Sequence, residues 1–267
     1  MIALDPRGEE RSTRARLEGR TTLVQSFATP TLWVAILFAA LLFAMPHTGP
    51  VFHWAFPAVE PPVYQRDSFV ALFLSHAGIV AVASFAATVI GIAAAVFVTR
   101  AAGRDFRGIV DALATIGQTF PPAAVLALAV PALGFGPRPT VVALFLYGLL
   151  PIVENAVAGL ETVPASVRDA AAGMGMTACQ ILARVELPLA APVILAGIRV
   201  SVTIGIGTAT IGSTVGALTL GTPIFDGIGG NKMPFVLQGA VLVALFAIVT
   251  DLIFARLEDR LRPPSAR

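Results

Sequence analysis

Between Asp67 and Arg100 the chain reads SFVALFLSHAGIVAVASFAATVIGIAAAVFVT (residues 68–99), without one Asp, Glu, Lys or Arg. Such a run exceeds the roughly 20 residues that a helix needs to cross about 30 Å of hydrocarbon. The pattern repeats outward in both directions. No formal charge falls between Arg20 and Glu60, Asp111 and Arg138, Arg199 and Asp226, or Lys232 and Asp251, and a shorter apolar run covers Val141 to Val153. Over 267 residues 56% are hydrophobic and 13% charged, where soluble domains carry about 25% charged residues; the mean hydropathy is +0.83. The chain reads as an all-α polytopic membrane protein with six spans, roughly 28–45, 70–98, 109–133, 140–158, 190–213 and 235–255. A secreted domain, a cytosolic enzyme and a disordered tail are excluded. A porin-like barrel does not fit either, because the apolar runs are continuous rather than alternating.

Sidedness follows from Lys and Arg. The N-terminal segment holds five (Arg7, Arg11, Arg14, Arg16, Arg20), the 99–108 loop three, the 159–189 loop two and the C-terminus four, giving 14 on one side. The other side holds three, Arg66, Arg138 and Lys232, and Arg199 falls inside the fifth span. Both termini are therefore expected in the cytoplasm, with the first span an uncleaved helix rather than a signal peptide, since about 27 residues precede it. The loop after it carries Pro46, Pro50, Pro57, Pro61 and Pro62 and is expected to be extended. Its His47, His53 and Trp54 read as an interfacial anchor.

Catalytic chemistry is missing. Lys232 follows Gly229-Gly230-Asn231 but lacks the rest of a phosphate-binding loop. The three histidines, His47, His53 and His76, are not spaced as metal ligands, and the lone Cys179 offers neither a disulfide nor a multi-cysteine site. The arginines are spread over short loops, so the formal charge of +2 does not signal nucleic acid. An ion-driven carrier needs charge at mid-membrane. Asp111 and Asp251 are expected near helix ends beside Arg107 and Arg256, and Glu154 follows Pro151, which should kink its helix and free a carbonyl.

The 159–189 loop carries the most information. Pro164 suits the start of a helix propagated by Ala165 to Ala172. Gly173 and Gly175 end it, because glycine accepts the left-handed backbone of a helix terminus. Thr177 is placed to cap a second short helix reaching about Val185, with Pro188 opening the next span. A helix–glycine–helix elbow of this kind is a rigid docking element and implies a cytoplasmic partner.

Asp169-Ala170-Ala171, Gly175 and Val185-x-Leu187-Pro188 stand at the spacing E-A-A-x(3)-G-x(9)-[IV]-x-L-P. This resembles the loop of permease subunits in binding-protein-dependent ABC importers, with Asp169 in place of the leading Glu. Gln118-Thr119-Phe120-Pro121, Leu149-Leu150-Pro151-Ile152-Val153, Ala196-Gly197-Ile198-Arg199 and Gly207-Thr208-Ala209-Thr210-Ile211 resemble the osmoprotectant branch, whose solutes are glycine betaine, carnitine and choline. The resemblance implies a type I ABC importer permease fold with a cytoplasmic coupling helix in a bacterial inner membrane. Segment 1–27 is then a cytoplasmic start, 28–68 an additional transmembrane helix with a Pro-rich external loop, 69–256 the transmembrane domain with a five-helix core, and 257–267 a cytoplasmic tail. It implies ATPase coupling through Asp169, Ala170, Ala171, Gly173, Gly175, Leu187 and Pro188. Its partners are ATPase subunits, which bind the ATP and Mg, an extracytoplasmic solute-binding protein, and a second permease copy or a paralogue. No cofactor and no enzymatic activity are expected of this chain itself.

The fifth span carries two stripes at helical spacing, Ser201/Gly205/Thr208/Gly212 and Thr203/Gly207/Thr210/Thr214. One is expected to pack and the other to line the pathway, with both assignments open. Candidate pathway residues are Thr203, Thr208, Thr210, Thr214, Gln118 and Glu154. The chain has only two Trp and two Tyr, too few for the aromatic cage that tight quaternary-ammonium binding uses. That suits a route fed by a separate binding protein. The competing readings are an importer permease for another small solute such as an amino acid, an ion-coupled carrier relying on Glu154 or Asp111, and a non-transporting scaffold.

Overall fold

The computed structural model describes residues 30–261 and is helical throughout, with no strand among the described residues. Residues 1–29, which hold the expected cytoplasmic start and the first two residues of the expected first span, and residues 262–267 of the expected tail lie outside them. The helices are α1 (Pro30–Ala44), α2 (Gly49–Ala55), α3 (Phe69–Val98), α4 (Arg107–Thr119), α5 (Pro122–Leu133), α6 (Pro137–Glu161), α7 (Ala165–Gly173), α8 (Ala178–Ile181), α9 (Leu187–Ile211), α10 (Thr222–Gly229) and α11 (Met233–Leu261). Five helices are long and apolar enough to cross a membrane, and six spans result if α4 and α5 count as one.

Three expectations need correcting. The 109–133 stretch is not one helix, because α4 and α5 meet at 96°. Phe120 precedes Pro121 and Pro121 precedes Pro122, so both are pushed to extended backbone (ψ 142° and 140°). The Pro-rich loop is not wholly extended. A 3₁₀ turn at Met45–His47 and helix α2 begin with Pro46 and Pro50 in their first turns, where a missing N–H costs nothing. Lastly, the second arm of the elbow is not a separate short helix. From α8 the chain passes through a π-helical turn (Leu182–Glu186) straight into α9, and Pro188 lies inside the continuous rod.

Helix α6 is the hub, packed on α3, α4 and α9. Lipid removes most hydrophobic drive for helix association, so close contact rests on small residues. A Cβ at Gly197 of α9 would lie 2.6 Å from both the Asn155 Cβ and the Pro151 carbonyl oxygen, and a Cβ at Gly91 of α3 would lie 2.7 Å from Ile152. Helix α1 joins through a separate apolar cluster with α3 and α11, built on Phe38, Leu42, Leu72 and Leu242.

Irregular backbone inside the bundle must find its own partners. Between α9 and α10, residues Ala217, Thr219 and Leu220 are buried. Leu220 N–H donates to His76 Nδ1 at 3.2 Å, so the other ring nitrogen donates to the Ile206 carbonyl at 3.1 Å. Neutral, fully buried His76 thus bolts α3 to the end of α9. His76→Leu is expected to leave two backbone groups orphaned at about 1–3 kcal/mol each, read as a lowered unfolding temperature in detergent with expression retained.

Candidate functional site

The elbow is built as its residues dictate. Helix α7 ends in a Schellman closure. The Met176 N–H donates to the Ala171 carbonyl at 3.2 Å and the Gly175 N–H to the Ala172 carbonyl at 2.9 Å. Gly175 sits at φ +81°, the left-handed conformation that this closure demands. Two residues on, Thr177 and Gln180 form a capping box: Thr177 N–H donates to Gln180 Oε1 at 2.8 Å, and Gln180 N–H to Thr177 Oγ1 at 3.4 Å. Of α7 only Ala171 is buried; Asp169, Ala170, Gly173 and Met174 are open to solvent.

One carboxylate holds this exposed arm to the bundle. Glu186, in the π-helical turn, is 2% exposed and accepts from Arg100 at 2.5 and 3.2 Å, while Arg168 of α7 lies 3.9 Å away. Arg100 closes α3, so a single buried side chain ties α3, α7 and the root of α9. Beside it a cavity of about 370 Å³ is lined by Arg100, Arg104, Arg107, Glu161 and Arg168. The loops expected on one side of the membrane are therefore at one end. At the far end Arg66 pairs with Asp226 at 2.9 Å and Lys232 donates to the Glu60 carbonyl at 2.9 Å. There burial pushes the Tyr64 phenol above its usual range, with its hydrogen bond to Asp67 (2.6 Å) acting the same way.

The two stripes of α9 separate cleanly. Ser201, Gly205, Thr208 and Gly212 are all buried, Ser201, Gly205 and Gly212 facing α6 and Gly205 also facing Val80 of α3. Thr203, Gly207, Thr210 and Thr214 are partly or fully exposed. Arg199 continues this open stripe by one turn toward the elbow, and its guanidinium donates to both oxygens of Asp251 at 2.6 and 2.7 Å.

Residues 87–263 match the family described as "Binding-protein-dependent transport system inner membrane component". The chain belongs to this family. Its relatives include the "Osmoprotectant import permease protein OsmY" of Salmonella typhimurium, 45% identical over 70% of this chain and 80% of that protein. Another is the "Choline transport system permease protein OpuBB" of Bacillus subtilis, 42% identical over 58% of this chain and 72% of that protein. Among solved structures, the inward-facing MetNI methionine ABC transporter superposes with a TM-score of 0.64 at 22% identity, covering 73% of this chain and 96% of that one.

As an inner-membrane, multi-pass permease, the chain is a non-catalytic transmembrane subunit that works with an ATPase and a binding protein. Of the residues expected in the coupling loop, Asp169, Ala170, Ala171, Gly173 and Gly175 lie on or just past α7, and Leu187 and Pro188 at the start of α9. The pathway candidates are more scattered. Thr203, Thr210 and Thr214 share the open stripe, whereas Thr208 is buried on the packed one and Glu154 is exposed on α6. Gln118 does a different job. Pro151 lacks the N–H that would bond the Tyr147 carbonyl, and Gln118 Nε2 donates to that oxygen at 2.8 Å. In return the Tyr147 hydroxyl donates to the Phe120 carbonyl at the α4–α5 break. Gln118→Leu is expected to cost about 1–3 kcal/mol by orphaning the Tyr147 carbonyl; the check is thermal unfolding of the purified chain beside Gln118→Glu, whose carboxylate cannot donate when ionised and should not rescue it. Asp251, expected near a helix end beside Arg256, pairs across to Arg199 of α9.

Sequence reasoning missed Glu186, Arg100 and Arg168 as one cluster, and Arg199 with Asp251. The available signal was a carboxylate immediately before Leu187-Pro188 and an arginine within an otherwise uncharged span.

Proposed function

We propose that this permease forms the translocation pathway of an ATP-driven importer for a small osmoprotectant such as glycine betaine, choline or carnitine. The elbow carries the coupling half of this reading: an exposed helix, closed by a left-handed glycine and rooted by Glu186 in α3 and α9, is built to receive force from a cytoplasmic ATPase. The names of the relatives support the solute half. Both termini and the elbow face the cytoplasm, as the arginine distribution asks, and Arg66, Asp226 and Lys232 face the solute-binding protein. Thr203, Thr210 and Thr214 line the route, with a second permease copy or a paralogue closing its other wall.

The test is uptake by proteoliposomes holding the permease with its ATPase subunits and binding protein. ATP-dependent accumulation of at least one quaternary ammonium solute is expected. Accumulation of amino acids with none of glycine betaine, choline or carnitine would replace the solute assignment, and uptake without the ATPase would overturn the importer reading.

A further inference from the structure

Four arginines gather at the elbow end of the bundle, and their carboxylate partners do not use up their donors. Arg100, Arg104, Arg107 and Arg168 line the cavity of about 370 Å³ beside the elbow, with Glu161 and Glu186 on the same wall. Glu186 spends both oxygens on Arg100, and Arg168 at 3.9 Å is beyond hydrogen-bond reach of it. Arg107 is taken by Glu161 and lies 3.9 Å from Asp111. Arg104 is exposed and makes no hydrogen bond or ion pair among the described residues. Asp105 and Asp169, the chain neighbours of Arg104 and Arg168, are exposed and stand outside the lining. Two guanidinium groups, those of Arg104 and Arg168, are left with donors to give.

The turn that carries Arg104 is fixed. Gly103 is buried, with no room for a Cβ against the Phe97 carbonyl. Its N–H donates to the Arg100 carbonyl at 3.0 Å, and its own carbonyl accepts from the Phe106 N–H at 3.0 Å. Phe106 then meets Phe97 at 5.8 Å between ring centroids, both rings about half exposed. From Phe106 an exposed apolar face runs along α4 through Ile109, Leu113 and Ile116, a spacing that keeps them on one side of the helix. Guanidinium groups suit a phosphate through paired donors. A soluble anion would need the cavity alone. The apolar face that starts beside it fits acyl chains, and basic pockets at the ends of spans take anionic lipid heads.

We propose that this cavity binds the phosphodiester head of an anionic phospholipid, held by Arg104 and Arg168, with its chains along Phe106, Ile109 and Leu113. The site sits beside the Glu186 joint, and it holds whichever solute the permease carries.

The test is native mass spectrometry of the full-length permease in detergent, offered phosphatidylglycerol and phosphatidylcholine of the same chain length together. Wild type is expected to retain phosphatidylglycerol about fivefold better, the factor that one arginine at a lipid surface provides. Arg104→Gln should abolish most of that preference without lowering the unfolding temperature, since Arg104 holds nothing in the fold, and Arg104→Lys should keep it. Arg138→Gln removes another exposed arginine, at the opposite end of α6, and should change nothing. A preference that survives Arg104→Gln, or that Arg138→Gln reduces as much, overturns the inference. Two further arms separate other occupants. Inorganic phosphate that stabilises wild type but not Arg104→Gln, where phosphatidylglycerol is not preferred, would make this a free-anion site. Loss of the lipid once the ATPase subunits assemble would give the cavity to the ATPase. Either result overturns the lipid assignment.

Discussion

Gly175→Val is expected to reduce ATP-driven uptake at least tenfold while the chain still inserts and purifies. The Gly175 backbone is at φ +81°, where a β-branched residue is an outlier. A left-handed position costs about 1–2 kcal/mol for an ordinary side chain, and relief comes only by opening the Schellman bonds to Ala171 and Ala172. Nothing else is disturbed, because a Cβ at Gly175 meets no atom within 4 Å. The loss therefore falls on the direction in which α7 points and not on packing of the spans. Gly175→Asn supplies the control, since asparagine tolerates this backbone, and should keep most of the uptake. Wild-type uptake by the valine variant would show that the closure of α7 does not matter to coupling.

Glu186→Leu attacks the same joint from inside. The carboxylate is 2% exposed and faces Arg100 and Arg168. Removing one partner of a buried ion pair costs about 3–5 kcal/mol, chiefly by stranding the other charge. The lower end applies here, because the Arg100 side chain is 39% exposed and can turn toward water. The single variant is expected to unfold earlier in detergent and to lose uptake. The double variant Glu186→Leu/Arg100→Leu should recover stability, since Arg100 is no longer stranded and Arg168, 41% exposed, turns to water, yet remain poor in transport because α7 has lost its tie to α3. Recovery of both properties together would make Glu186 a stability residue only.

The spans and the elbow were legible because both are written in local chemistry. Uncharged runs mark membrane crossings whatever their packing, and the Ala-rich helix, Gly175 and the Thr177 cap each act within a few residues of themselves. What stayed hidden depends on partners distant in the chain. Pro151 announced a freed carbonyl, but nothing in its neighbourhood said that Gln118 would fill it. His76 was a lone histidine in an apolar run, and only the meeting of α3 with the segment before α10 gives it two backbone partners. The two stripes of α9 look equivalent by spacing; the difference arises because α3 and α6 cover one of them. The break at Phe120-Pro121-Pro122 is written in its two prolines, but hydropathy averages straight across them. Arg199 stands alone among uncharged residues in its own span, and only the approach of α11 supplies Asp251 as its partner.

The central claim, that α7 and its glycine closure seat in an ATPase subunit, has a probe already in place. The single cysteine, Cys179, is exposed within the capping box that follows Gly175. Its alkylation rate by a bulky maleimide, read on the Cys179 peptide by mass spectrometry, should fall at least tenfold when the ATPase subunits are added to the purified permease, and recover when they are stripped away. An unchanged rate in a complex that still hydrolyses ATP and moves solute would place the contact elsewhere and contradict the account.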